Sequence, residues 1–395
     1  MNPRILIVGA GGNQICILRK ARELGLETVA IDGNANAQGF AAADIAEVAN
    51  ITDPEEIERV ARRHNVSGIY PAAEWGVEAA SHAAARMGLP GIPPQVASRV
   101  RNKHAMRQAL ERAGVPVPRF RGVTTRDEAH AALQEFGAPI IVKPAEGNAS
   151  KGVRRVDRAE ELAAAFDNAL PYSRTKTVLI ETFMEGEEYC VDGLVHNGTF
   201  LLGTITGKER SEPPNRFDLG IYAPPMISQK ETDAIVAMTQ QALAAIEFGN
   251  GTTHIEVIAT PEGVRIVEMA GRPGGGRIPT DIIPLTYGMD FIADSLRLAL
   301  GDSPRERRRF ERGAALFWFP ARPGIVREIA GLDAVRALPG VIDVVMAIQP
   351  GDVVSPIIDC VTRDRIGYAL TAGHDASSAI ATAKQAQRLC RIVTA

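Results

Sequence analysis

Two glutamates carry the strongest chemical signal in this 395-residue chain. Glu256 and Glu268 lie on two strand-like runs, 254–259 and 263–269, joined by the turn Pro261-Glu262-Gly263. Carboxylates set side by side on neighbouring strands repel one another unless a cation lies between them. Mg²⁺ is the hard ion such a pair holds, with phosphate oxygens commonly completing its octahedron. Two solvated strand carboxylates would be the ordinary reading of a hairpin without further context. Here Glu268 runs into Ala270-Gly271-Arg272-Pro273-Gly274-Gly275-Gly276-Arg277, a glycine-rich turn that aims two arginines near the same place. That context predicts a nucleotide–metal site.

Arg277 admits two readings. Its guanidinium fork suits bidentate binding of a carboxylate such as the α-carboxylate of an amino acid. Alternatively it pairs with Asp281 four residues on, an ordinary helix-surface contact. Near the N-terminus, Gly9-Ala10-Gly11-Gly12 follows a strand, and Asp32 stands about twenty residues on, which suggests a dinucleotide fingerprint. Gln14 replaces its last glycine, so an NAD-dependent oxidoreductase is only a rival reading. Glu74 and Trp75 follow a later strand and are expected in structural roles. Cys16, Cys190, Cys360 and Cys390 are too scattered for a zinc site or a disulfide framework. No Ser/His/Asp or Cys/His constellation stands out.

The bulk properties bound the partners. Apolar residues make up 45% and charged residues 23%, the balance of a globular protein of two or three packed units. A formal charge of −3 offers no basic footprint for nucleic acid, and 5% aromatics argue against stacking platforms. No apolar run is long enough to span a membrane. The chain starts at once on the strand-like Arg4-Ile5-Leu6-Ile7-Val8, so a cytoplasmic enzyme with reduced cysteines is expected.

The elements that must position the glutamates follow from periodicity. Strands at 5–8, 28–31 and 67–71 alternate with helical segments at 14–24 and from Asp53-Pro54-Glu55-Glu56 onward. This is an α/β unit with a doubly wound parallel sheet, closed by Leu89-Pro90-Gly91-Ile92-Pro93-Pro94. A helix at 95–113 carries Lys103. A small unit then has strands near Phe120, at 139–143, 152–156 and 177–181, and helices at 127–136 and 159–169. Strands at 189–195 and 199–205, a helix at 230–246 and the glutamate hairpin follow, with a final helix at 376–390. The basic run 305–312 reads as a solvated helix end. The domains are therefore placed at 1–94, 95–186 and 187–395.

Glu256…Glu268-x-x-x-Arg272-Pro-Gly-Gly is similar to the metal and catalytic strand pair of the ATP-grasp enzymes. The resemblance spans nearly the whole chain and points to the L-amino acid ligase branch. It implies two sheets that clasp ATP, in the order of the units above. It also implies that Lys103 and Lys143 bond phosphate oxygens. The segment Glu146-Gly147-Asn148-Ala149-Ser150-Lys151-Gly152 resembles the lid over the terminal phosphates, with Ser150, Lys151 and Gly152 contacting nucleotide. Glu181, Phe183 and Met184 resemble the adenine hinge, and Glu188 the ribose-binding acid. Glu256 and Glu268 become ligands for Mg²⁺, with Mn²⁺ as a substitute, and Arg272 the catalytic arginine. His254 matches a cation that steadies the reacting carboxyl group, although a strand histidine is more often simply packed or hydrogen-bonded. Many members place Asn two residues after the second metal glutamate; Ala270 stands there, so one fewer protein ligand is expected.

The implied reaction is ADP-forming ligation of a carboxylate and an amine, probed first with amino acids; the oligomeric state is left open by the sequence, a homodimer being the commonest soluble assembly. Rivals within the fold are bicarbonate- or formate-activating enzymes of nucleotide synthesis. A nucleotide-binding module without catalysis is a third reading.

Overall fold

The computed structural model describes residues 2–305 and 309–395. Four parallel strands open it: β1 (Arg4–Val8), β2 (Glu27–Asp32), β3 (Ile45–Val48) and β4 (Gly68–Pro71), in the order β3-β2-β1-β4. One face packs Leu6, Val8 and Ile31 against Ile57 and Val60 of the helix Pro54–Arg63. Asp53 caps that helix through the amides of Glu55 and Glu56. The other face packs Ile5 and Ile7 on Leu18 and on Ile292 and Leu296 of the distant helix Phe291–Ala299. This apolar contact fastens the first unit to the C-terminal part of the chain.

The middle unit is an antiparallel sheet of β5 (Phe120–Val123), β6 (Ile140–Pro144), β7 (Arg154–Val156) and β8 (Val178–Thr182), ordered β5-β8-β6-β7. Helices Arg126–Phe136 and Leu162–Ala169 cover one face through Leu133, Phe166 and Ile180. Ahead of it, the helix expected at 95–113 is broken. Pro94–Arg101 and Lys103–Arg112 meet at Asn102, whose side chain accepts from the Ala105 amide at 2.9 Å. An Asn with free side-chain oxygen stops one helix by capping the next, and so puts Lys103 on a first turn.

The large sheet contains β9 (Glu187–His196), β10 (Thr199–Arg210), β11 (Asp218–Ala223), β12 (Gly251–Thr260), β13 (Gly263–Ala270) and β14 (Gly313–Trp318). The tail supplies β15 (Gly324–Ala330), β16 (Val341–Met346), β17 (Val353–Val354), β18 (Gly367–Gly373) and β19 (Arg391–Thr394). The large sheet runs β13-β12-β9-β10-β11-β14-β18-β16, and β17-β15-β19 form a small one beside it. A helix, Gln229–Ala245, buries Ile235 and Leu243 with Val257 and Ile266 of the glutamate hairpin. Two expectations need correction. The strand expected to end at residue 205 continues to Arg210, and β11 follows it unforeseen. The basic run 305–312 is no helix end at Arg305 or at 309–312; residues 306–308 lie outside the described ones.

Candidate active site

Strand alternation decides which side chains share one face of the large sheet. Glu188 and Asp192 on β9, Lys208 and Arg210 on β10, and His254 and Glu256 on β12 project together. Glu256 stands directly opposite Glu268 in the β12–β13 register, with a bulge just after Glu256. The repulsion expected between them is relieved by ammonium groups. Lys208 Nζ bonds Glu256 Oε1 at 2.7 Å, and Lys103 Nζ bonds Glu268 Oε1 at 2.9 Å. Lys208 is buried and also bonds Glu188 at 2.7 Å. Burial would lower its pKa, but Asp218, Glu188 and Glu256 outweigh that and hold it well above the usual lysine value. Burial would raise Glu188; Arg210 and Lys208 reverse this and hold its carboxyl at about 2. Glu268 is likewise held below its ordinary value, Lys103 overcoming desolvation.

The middle sheet faces this array across a cleft lined from both sides. Lys143, buried on β6, bonds Glu181 Oε2 at 2.7 Å, and Arg107 Nε bonds Glu181 Oε1 at 2.7 Å. Two cations therefore share one carboxylate, and an anion is the natural complement to the surplus charge. Burial dominates Lys143 and lowers its pKa despite Glu181. Lys103 also donates to the Gly147 carbonyl at 2.8 Å, tying it to the base of the loop 147–151. Ala149 and Ser150 are left-handed there, with φ of 56° and 60°. Phe183 and Met184 line the cleft, and the Arg155 guanidinium lies 4.2 Å from the Phe183 ring centroid.

At the far end Arg272, half-buried, ion-pairs with Glu74 of the first unit and donates to the Pro273 carbonyl at 2.7 Å. His254 Nδ1 lies 3.0 Å from Asp192 Oδ1. Burial works against its protonated form, but Asp192 prevails and raises its pKa well above the usual value. Asp192 also accepts from the Gly274 amide at 2.9 Å, and a Cβ on Gly274 would meet Asp192 and His254 at 2.6 Å. Only glycine lets the turn carrying Arg272 pack this closely.

The structure thus gathers Lys103, Lys143, Ser150, Lys151, Glu181, Phe183, Met184, Glu188, His254, Glu256, Glu268 and Arg272 around one cleft. Two expected residues lie elsewhere. Gly152 is turned away, packed where a Cβ would meet Tyr172 at 2.8 Å and Ala169 at 3.1 Å. Arg277 does not line the cleft; its guanidinium bonds Asp281 at 2.7 and 2.8 Å and also pairs with Asp343. Of its two readings, the Asp281 contact is the one present. Glu146, placed in the lid, instead anchors its base through Ser173, Thr175 and Asn102. In the first unit, Asp32 accepts from the Ala10 and Asn34 amides, so its carboxylate is turned onto its own backbone. Trp75 is 43% exposed beneath Arg101.

Sequence reasoning missed Arg107, Asp192, Lys208, Arg210 and Asp218. Arg107 stands four residues after Lys103, on the same helix face. Lys208 and Arg210 continue the alternation of β10 beyond its apolar stretch. Both signals were available. Cys190 also lies close to His254, a neighbourhood that sequence spacing did not reveal.

Comparison with known proteins agrees with this geometry. The ATP-grasp domain family matches residues 136–281, and the L-amino acid ligase C-terminal domain 2 family matches 316–395. An uncharacterised Sinorhizobium fredii protein, y4rH, is 30% identical over 390 residues, covering 95% of this chain and 79% of that protein. The L-arginine-specific L-amino acid ligase of Bacillus subtilis is 27% identical over 275 residues, 68% of this chain and 66% of the relative. Among solved structures, the L-amino acid ligase from Bacillus licheniformis superposes with a TM-score of 0.84 at 23% identity, over 100% of this chain and 99% of that one. With its two-sheet cleft and these family matches, the chain carries an ATP-grasp domain followed by an L-amino acid ligase C-terminal domain.

Proposed function

We propose that this cleft uses Mg-ATP to phosphorylate the carboxylate of one amino acid and delivers the acyl phosphate to the amine of another. ADP and phosphate are then released. The observation that carries the reading is the opposed pair Glu256–Glu268, faced by Lys103, Lys143 and Arg272 in one cleft, with the buried Lys208 bonded to Glu256. The amino-acid substrate class rests on the named L-amino acid ligase relatives.

Each side chain has a defined task. Lys143 and Lys103 place point charges on phosphate oxygens, and amides of the loop 147–151 close over them. Phe183 and Met184 flank the base. Glu188 keeps one oxygen on Lys208 and Arg210 and offers the other to a ribose hydroxyl. Glu256 and Glu268 form an all-oxygen donor set, which suits Mg²⁺ or Mn²⁺. An ion held by these two carboxylates would supply positive charge to phosphate oxygens. Arg272, fixed by Glu74, stabilises charge developing on the acyl phosphate and on the tetrahedral intermediate. His254, held protonated by Asp192, steadies the carboxyl group under attack.

An ADP-release screen over amino acids, singly and in pairs, tests the reading. Phosphorus NMR of the completed reaction is expected to show ADP and inorganic phosphate. Pyrophosphate, or turnover stimulated by a purine ribotide and by no amino acid, overturns it.

A further inference from the structure

On the same face of the large sheet, β9 and β12 bring together three donors of different chemistry. Cys190 stands opposite Glu256 in register, and His254 stands opposite Asp192. The Cys190 thiol, an imidazole nitrogen of His254 and a carboxylate oxygen of Glu256 all lie within 4.8 Å of one another. Cys190 is 3% exposed and does not line the nucleotide cleft. The His254 ring is already fixed: its Nδ1 faces both oxygens of the fully buried Asp192 at 3.0 and 3.1 Å. That leaves Nε2 as the nitrogen turned toward Glu256, 4.0 Å from Oε1.

We propose that Cys190, His254 and Glu256 form a zinc-binding site, with Asp192 as the outer partner of the histidine, and that zinc bound there blocks the ligase. Thiolate, imidazole and carboxylate together are a borderline-soft donor set, suited to Zn²⁺ and foreign to Mg²⁺, which takes oxygen. A histidine whose other ring nitrogen is held by a carboxylate is the usual arrangement at zinc, because the carboxylate fixes the ring and strengthens its basicity. Ligands held tetrahedrally at about 2.0–2.3 Å stand roughly 3.3–3.8 Å apart, so the three donors close on an ion by shifts of about 1 Å. Three protein ligands leave the fourth position to water. On binding, the thiol proton and the imidazolium proton pass to solvent.

Lys208 does not forbid this. Its ammonium now bonds Glu256, but it also bonds Glu188 at 2.7 Å and lies 3.9 Å from Asp218. Glu256 can therefore turn an oxygen to the metal without leaving the lysine bare. If the three side chains merely pack, Cys190 is a small buried hydrophobe and no metal binds. Zinc binding is independent of the ligase reading. Only the block rests on it, through Glu256 as a ligand shared with Mg²⁺.

The test uses the full chain, stripped of metal and free of nucleotide. Co²⁺ is titrated first as a spectroscopic stand-in, then Zn²⁺ in competition with a chromophoric chelator. A thiolate-to-cobalt charge-transfer band saturating at a single site is expected. Cys190→Ser loses the band and weakens zinc by at least about tenfold, while Asp192→Asn keeps the band and weakens zinc about 10–100-fold. No band in the parent chain, or a band that survives Cys190→Ser in a variant that melts normally, overturns the site. Zinc is also expected to stop amino-acid-dependent ADP release, and Cys190→Ser to restore it. Zinc held through Cys190 without slowing turnover overturns the block and leaves the site standing.

Discussion

Replacing Lys143 with Met removes a charge from the middle sheet while keeping the apolar stem. The ammonium is buried with Arg107, and both rest on the single carboxylate of Glu181. Two cations against one anion leave a surplus that a phosphate satisfies. A hydrogen bond to a charged group contributes roughly 1.5–3 kcal/mol. Since about 1.4 kcal/mol is a factor of ten in affinity, ATP is expected to bind about 10–150-fold more weakly to Lys143→Met. The nucleotide-free fold should not suffer. Burial already disfavours the charged form of Lys143, and Glu181 keeps its bond to Arg107 at 2.7 Å. Isothermal calorimetry with ATP and with adenosine separates the effects, because adenosine lacks the phosphates. ATP affinity should fall while adenosine affinity holds. Equal loss for both ligands would place Lys143 in the frame of the base site, and an unchanged ATP affinity would remove it from the phosphate site altogether.

Three further outcomes follow from the same geometry. Glu268→Ala should lower turnover by more than about 100-fold at saturating Mg²⁺, beyond the loss expected for an outer-shell partner, and near-normal activity refutes its metal role. Arg277→Lys should leave every KM unchanged and lower the melting temperature, because its guanidinium is committed to Asp281 and Asp343; a raised KM for one amino substrate revives the carboxylate role. Glu188 is depressed from an ordinary 4.5 to about 2, so the stability it contributes is fully present above about 4.5. That contribution is lost as pH falls from there through about 2, so the melting temperature of Glu188→Gln should depend less on pH across this window. A variant as acid-sensitive as the parent would mean that other carboxylates carry the acid response.

The hairpin bearing Glu256 and Glu268 was legible because a tight turn joins its strands, which makes residues far from any motif into register partners. Lys143 was legible because an apolar run, Ile140-Ile141-Val142, ends abruptly in a charge. The alternation of strand and helix over the first ninety residues likewise matched three strands of the parallel sheet, while the edge strand β3 was not foreseen. What failed was the end of β10. Residues 206–210 look like a loop because they are polar, yet they are polar because one face of that strand lines a charged cleft. Apolar periodicity finds strands that face a core and stops where a strand begins to face a site.

The same limit explains Cys190, Asp192 and His254. His254 lies far along the chain from Cys190 and Asp192, and only the antiparallel pairing of β9 with β12 makes it their neighbour. Lys208 is the clearest case. Taken alone it is one lysine among many, but in the sheet it is buried and bridges Glu188 on β9 and Glu256 on β12. Removing one member of such a bridge leaves an uncompensated buried charge, at a cost of about 3–5 kcal/mol. Two half-buried carboxylates suited to a metal can therefore stand opposite one another in its absence only because lysines hold them. Lys103 and Lys208 are thus as necessary to the charge balance of this sheet as Glu256 and Glu268 are to the proposed metal site.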